Sequence, residues 1–97
     1  MAIKFNYEQT ISQAKKLDEI AGDMQNKCCK KMEAICENVE AAWTGEAAKA
    51  YLKYVSGVRG DLQKKAKYLR DCADFLRFAA KKMKEAEAAA QQAAQKI

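Results

Sequence analysis

Apolar and small residues recur through the first half of the chain as Ile11, Ala14, Leu17, Ala21, Met24, Cys28, Met32, Ile35, Val39 and Ala42. From Ala14 onward steps of three and four alternate, with one extra step of four, which is the period of an amphipathic α-helix. Within the set, Ala14, Ala21, Cys28, Ile35 and Ala42 form a seven-residue column, and all but Ile35 are small. Small residues in one column let a second helix come close. Asn6 stands ahead of the pattern with Gln9 three residues on, as in a capping box. The spacing predicts a first helix over about 7–41, roughly 52 Å long at 1.5 Å per residue.

The pattern pauses over 42–45 and then resumes. Val55, Leu62, Leu69, Leu76, Met83 and Ala90 form a second seven-residue column, and Ala66, Ala73 and Ala80 follow its leucines by four on the same face. A second helix is expected over about 46–95, with no Pro anywhere to interrupt it. A large-residue column can interlock with a small-residue one, and both repeats favour long, nearly antiparallel helices with a left-handed twist. The stretch Glu85 to Gln95 should overhang the hairpin. It is rich in Ala and Gln without large anchors, so it is expected to fray. Gly57 and Gly60 each cost about 1 kcal/mol relative to Ala inside a helix. They read either as a tolerated soft spot or close contact, or as a break that yields three helices.

The expected fold is therefore all-α, an antiparallel helical hairpin forming a single domain over 1–97. Its stripes are wider than one seam can cover. Ile20 widens the first, and Tyr54, Tyr68 and Phe75, with Tyr51 and Phe78 nearby, widen the second. Broad exposed apolar faces mark interfaces. A second hairpin would cover them as a four-helix bundle dimer, and these five aromatics are the candidate interface residues.

Composition narrows the function. At 97 residues the chain buries only a modest core. Its apolar runs fall far short of the roughly 20 residues that span a bilayer. Met1 to Asn6 holds no apolar signal core, so departure from the cell would require a dedicated machine. There is no His, which removes the commonest general acid/base and metal ligand. A Cys nucleophile would lack its base, and no Gly-rich loop could cradle a phosphate. The expectation is no enzyme, no cofactor and no metal. Cys28, Cys29, Cys36 and Cys72 do not have zinc-site spacing. Cys29 and Cys36 would lie about 10 Å apart along one helix, beyond disulfide reach. The four are read as reduced thiols, with Cys28 and Cys72 as small core residues, of a protein that folds in a reducing cytoplasm, while bridges between chains across a dimer stay open. The net charge of +5 comes from lysines and arginines mixed with acids on helix two. It reads as a solvated face, with an acidic protein partner as the next option; no nucleic-acid motif accompanies it.

The bend carries the most specific signal. Trp43-Thr44-Gly45 contains the only Trp, at the midpoint of the chain, between two long helical patterns. In length, periodicity and this motif the chain resembles the WXG family, the early-secreted-antigen-like proteins of bacterial type VII secretion. The resemblance implies a hairpin that forms homodimers or heterodimers, working with the secretion machinery as a leaderless substrate or as an escort of a larger effector. It implies that Trp43 and Gly45 set the bend, with Trp43 lining a surface for a partner or the secretion ATPase. Family members or their partners often carry an export signal after helix two, a Tyr followed four residues later by an acid. Here Glu87 stands in the acid position but Met83 replaces the Tyr, and Tyr68 is followed by Cys72. That departure shifts weight toward an escort whose partner supplies the signal. The expected localisation is the cytoplasm when folded, then export without a cleaved signal peptide. A cytoplasmic helical adaptor with no secretion role is the alternative.

Overall fold

The structure, a computed structural model, describes residues 5–96. Met1 to Lys4, where the sequence lacks an apolar leader core, lie outside the described residues. The chain folds as helix α1 (Tyr7–Asp23), a π-helical turn (Met24–Cys29), helix α2 (Lys30–Ala42) and helix α3 (Glu46–Gln95). The first three make one continuous arm, and α3 returns along it as the second. Among the described residues there is no strand, and the molecule measures 79 × 19 × 17 Å.

Local chemistry sets the ends. Asn6 is extended, and its side chain accepts the Gln9 amide at 2.9 Å, so one of the free amides of α1 is satisfied. α2 stops at Trp43, which turns to extended backbone (φ −138°, ψ 124°) while its amide still reaches the Val39 carbonyl at 2.8 Å. Gly45 precedes α3 at φ 113°, ψ 178°, a region that is essentially glycine-only. This one backbone setting reverses the chain.

α3 runs unbroken through Gly57 and Gly60. A Cβ at either glycine would meet nothing within 4 Å. They are neither a break nor a close contact within the hairpin. α3 also stays helical through the overhang to Gln95.

The seam between the arms is built from small side chains. Ala14, Ala21, Cys29, Ala48, Ala66, Ala73 and Ala80 are buried, and no large side chain is fully buried. On α3 the seam advances by strict alternation of four and three from Ala48 to Met83, with Val55, Leu62, Leu69 and Leu76 half-buried between the alanines.

The first arm departs from the expected column after Ala21. The next buried residue is Cys29, eight positions on. Cys28, Ile35 and Ala42 are exposed, and Met32, Cys36 and Val39 take the seam positions. The reason lies in what an uninterrupted helix would bury. Continued at seven, the positions that alternate with Cys28 and Ile35 are Lys31 and Asn38. Burying an unpaired ammonium and amide is costly. The π turn absorbs one extra residue, rotates the rest of the arm, and brings Met32 and Val39 inward instead. The expected core role of Cys28 is thus corrected to Cys29, while Cys72 is half-buried and all four thiols are free.

Candidate docking surface

The heptad logic of the seam gives each arm two flanks, and the two are chemically unlike. On one flank, the residue four after every seam alanine except Ala48 is polar. Asp18 and Gln25 follow Ala14 and Ala21; Arg70, Arg77 and Lys84 follow Ala66, Ala73 and Ala80. They meet across the seam. Arg77 hydrogen-bonds and ion-pairs with Asp18, Arg70 lies 3.9 Å from the same carboxylate, and Arg70 donates to Gln25 at 2.8 Å. The hydrogen bond to Asp18 holds the Arg77 guanidinium above even its usual high pKa, with the charges of Asp18 and Asp74 adding to this. Lys84 caps the end of the row with its ammonium 4.2 Å from the Tyr7 ring centre. Nearer the bend, Arg59 occupies a seam position and pairs with Glu33 at 3.3 Å. This flank is sealed by polar contacts within the hairpin.

The other flank carries most of the exposed large apolar side chains, interspersed with polar ones such as Asp61 and Lys65. It carries the residues just before the seam positions of the first arm, Ile20, Cys28 and Ile35, and those of α3, including Tyr51 and Cys72. Beside these on α3 run Tyr54, Tyr68 and Phe75, exposed at 73%, 67% and 67%. Tyr68, Cys72, Phe75 and Leu76 line one shallow groove there. Trp43 extends the flank at the bend. Its ring is half-exposed and lies 6.2 Å from that of Tyr51, tilted by 49°. Four of the five aromatics singled out from sequence share this flank. Phe78 stands apart, at helical spacing on the side of α3 away from the seam, with Lys82 5.6 Å over its ring.

At the bend, Trp43, Thr44 and Gly45 line a small cleft with Glu40, Ala48 and Leu52. Thr44 is exposed. Gly45 shapes the backbone there, and Trp43 is the motif's large exposed apolar surface. At the opposite end, Met83 is the last half-buried seam residue, and Glu87 projects into solvent one turn beyond it.

Sequence reasoning missed Cys28 and Ile35 as members of the exposed flank. The signal for them was present: two successive steps of four, Met24 to Cys28 to Met32, mark the point where the helix must take in an extra residue. It also missed the polar clamp. Acids and bases four residues after the seam alanines on both arms were readable once the antiparallel pairing was assumed.

Among the described residues, no group of three or more His, Cys, Asp or Glu could hold a metal ion, and no helix is long and apolar enough to cross a membrane. The arrangement defines a class: a small all-helical hairpin whose specialised features are a glycine-set bend and one flank rich in exposed apolar side chains. The chain belongs to the WXG100 family, proteins of 100 residues with WXG, which it matches over residues 2–88. The family is one of small helical proteins associated with type VII secretion, and no catalytic family is indicated. No curated protein and no solved structure matches the chain.

Proposed function

We propose that this chain is a type VII secretion protein that acts by pairing: its open flank docks another helical hairpin or a helical effector domain, and the folded assembly is exported. The single observation that carries the reading is the asymmetry of the hairpin. One flank is saturated by its own ion pairs, while the other leaves large aromatic and aliphatic side chains in water. A protein with only small residues fully buried gains stability by covering such a face. Trp43 supplies the end of that face at the bend and is the residue assigned to contact with a partner or the secretion ATPase.

The seam position of Met83 supports the escort form of this role. A side chain half-buried between the arms is not free to act as the exposed aromatic of an export signal, so the signal would come from the partner. Dimer partners of either kind, a second copy or a different helical protein, use the same flank.

The test compares culture fluid with cell lysate, with the secretion ATPase active or inactivated. The wild-type chain is expected in the fluid only when the ATPase works. Trp43→Ala is expected to lower export or partner capture at least tenfold while circular dichroism stays helical. A protein retained wholly in the lysate with a working machine would sink the reading in favour of a cytoplasmic adaptor.

A further inference from the structure

Outside the clamp, the polar flank carries a second pattern. Its outer edges are formed by the residues directly after the buried seam positions. On the first arm Ala14, Ala21 and Cys29 are followed by Lys15, Gly22 and Lys30. On α3 Ala66, Ala73 and Ala80 are followed by Lys67, Asp74 and Lys81. The clamp fixes the height of one edge against the other, because Asp18 meets Arg77 and Gln25 meets Arg70. Lys15 therefore stands level with Lys81, Gly22 with Asp74, and Lys30 with Lys67. Two lysine pairs thus bracket the flank, about 21 Å apart along it at 1.5 Å per residue.

All four lysines are exposed. Among the described residues Lys15, Lys30 and Lys81 form no ion pair, and Lys67 pairs only with Asp71, one turn along its own helix at 3.1 Å. Between the pairs the charge reverses. Asp74 stands there, opposite Gly22, which has no side chain. A Cβ at Gly22 would meet only the Arg70 guanidinium, at 3.8 Å. Toward the bend the pattern ends, since Glu37 follows the seam residue Cys36. From 32 to 48 the chain has Glu33, Glu37, Glu40 and Glu46 and no Lys or Arg. The positive charge is therefore gathered on one stretch of the flank.

We infer that this stretch is a second docking surface, and that its occupant is an acidic helix of a partner protein. Such a helix lies along the flank with one carboxylate pair on Lys15 and Lys81 and another on Lys30 and Lys67. A cation of the same helix falls between them, at Asp74, over the space left by Gly22. A helix repeats on the seven-residue spacing of the arms, so its contacts stay in register from one lysine pair to the next. A nucleic-acid backbone is uniformly negative and would set phosphate against Asp74. Charge complementarity of this kind gives specificity and rapid, salt-sensitive association more than affinity. The surface lies on the side away from the open flank and stays free whether or not that flank is covered.

The test titrates the full chain into a fluorescent Ala- and Gln-based helical peptide carrying two Glu pairs about 14 residues apart and a Lys midway, read by anisotropy at low salt. Lys15→Glu with Lys81→Glu, and separately Lys30→Glu with Lys67→Glu, are each expected to weaken binding about tenfold, with circular dichroism unchanged. Lys64→Glu with Lys65→Glu alters net charge equally but lies off this flank, and is expected to change binding by no more than about twofold. High salt is expected to erase the differences. The absence of peptide binding to the wild-type chain overturns the inference. So does an equal loss in the Lys64 and Lys65 variant, which would make the attraction one of net charge alone. Displacement of the peptide by random single-stranded DNA of equal charge also overturns it, in favour of a general polyanion surface. None of these readouts involves the open flank, so failure here leaves the pairing role standing.

Discussion

The two flanks of the seam lie on the same helices and have the same periodicity, yet they have opposite fates. Along one, Asp18, Gln25, Arg70 and Arg77 satisfy one another inside a single chain. Along the other, Ile20, Ile35, Tyr54, Tyr68 and Phe75 have no cover. The lesson is one of division of labour. The alanine seam brings the arms close enough for polar side chains to clamp them, and, Phe78 apart, the large exposed apolar side chains gather on a single side. A hairpin with mixed flanks would expose weak patches in two directions; this one exposes a broad patch in one. The surface ion pairs set geometry more than stability, because partly exposed pairs contribute about 0–1 kcal/mol each.

That contrast can be broken most severely on the open side. Tyr54→Ser combined with Phe75→Ser removes two aromatics from each copy of the assembly. With roughly 1.5–3 kcal/mol for each large side chain fully buried, the double variant is expected to weaken association more than a hundredfold by sedimentation equilibrium. The isolated hairpin should keep its helix content, since neither ring is part of the seam. Unchanged association would mean that the exposed flank is not the docking face.

The bend gives the next largest effect. Gly45→Ala places a Cβ on a residue at φ 113° and is expected to cost about 1–3 kcal/mol. For a domain of this length that lowers Tm by several degrees per kcal/mol. A Tm unchanged in a thermal melt would show that the bend can be made in another way. Smaller, and opposite in sign, is the effect of Gly57→Ala and Gly60→Ala. A methyl group added at either position finds open space within 4 Å, so each change is expected to stabilise by up to about 1 kcal/mol. A loss of stability confined to the dimer would instead place those glycines in the interface.

The smallest effect belongs to the sealed side. Asp18→Asn leaves Arg70 and Arg77 without their shared carboxylate. It is expected to lower Tm only slightly, with the difference shrinking in high salt. If Asp18→Asn disturbed association more than the aromatic double variant, the assignment of the two flanks would be reversed.

Much of the fold is legible in the residues. Seven-residue columns define both arms, Asn6 marks the first helix start, and Trp43-Thr44-Gly45 marks the reversal. The exposed aromatics of the open flank stand out because they fall outside the columns. The π turn was half legible. The extra four-residue step located it, but steps of three and four tolerate such an irregularity in a straight helix read by itself. Only opposite a strictly regular α3 does the mismatch become a choice between burying Lys31 and Asn38 and inserting one residue. The clamp was illegible for a similar reason: Asp18 and Arg77 are 59 residues apart, and each reads as an ordinary solvated charge until the arms are laid together.

By itself, then, the sequence determined that this protein is two long amphipathic helices reversed at a Trp-x-Gly bend, with more apolar surface than one hairpin can bury. Those are local properties, set by spacing along the chain. The tertiary structure alone decided which apolar residues face inward after Ala21, and which side of the hairpin stays open. Both depend on rotation of one arm against the other. A single extra residue turns a helix by about 100°, enough to move Ile35 from seam to surface and to align it with Ile20 on the open flank.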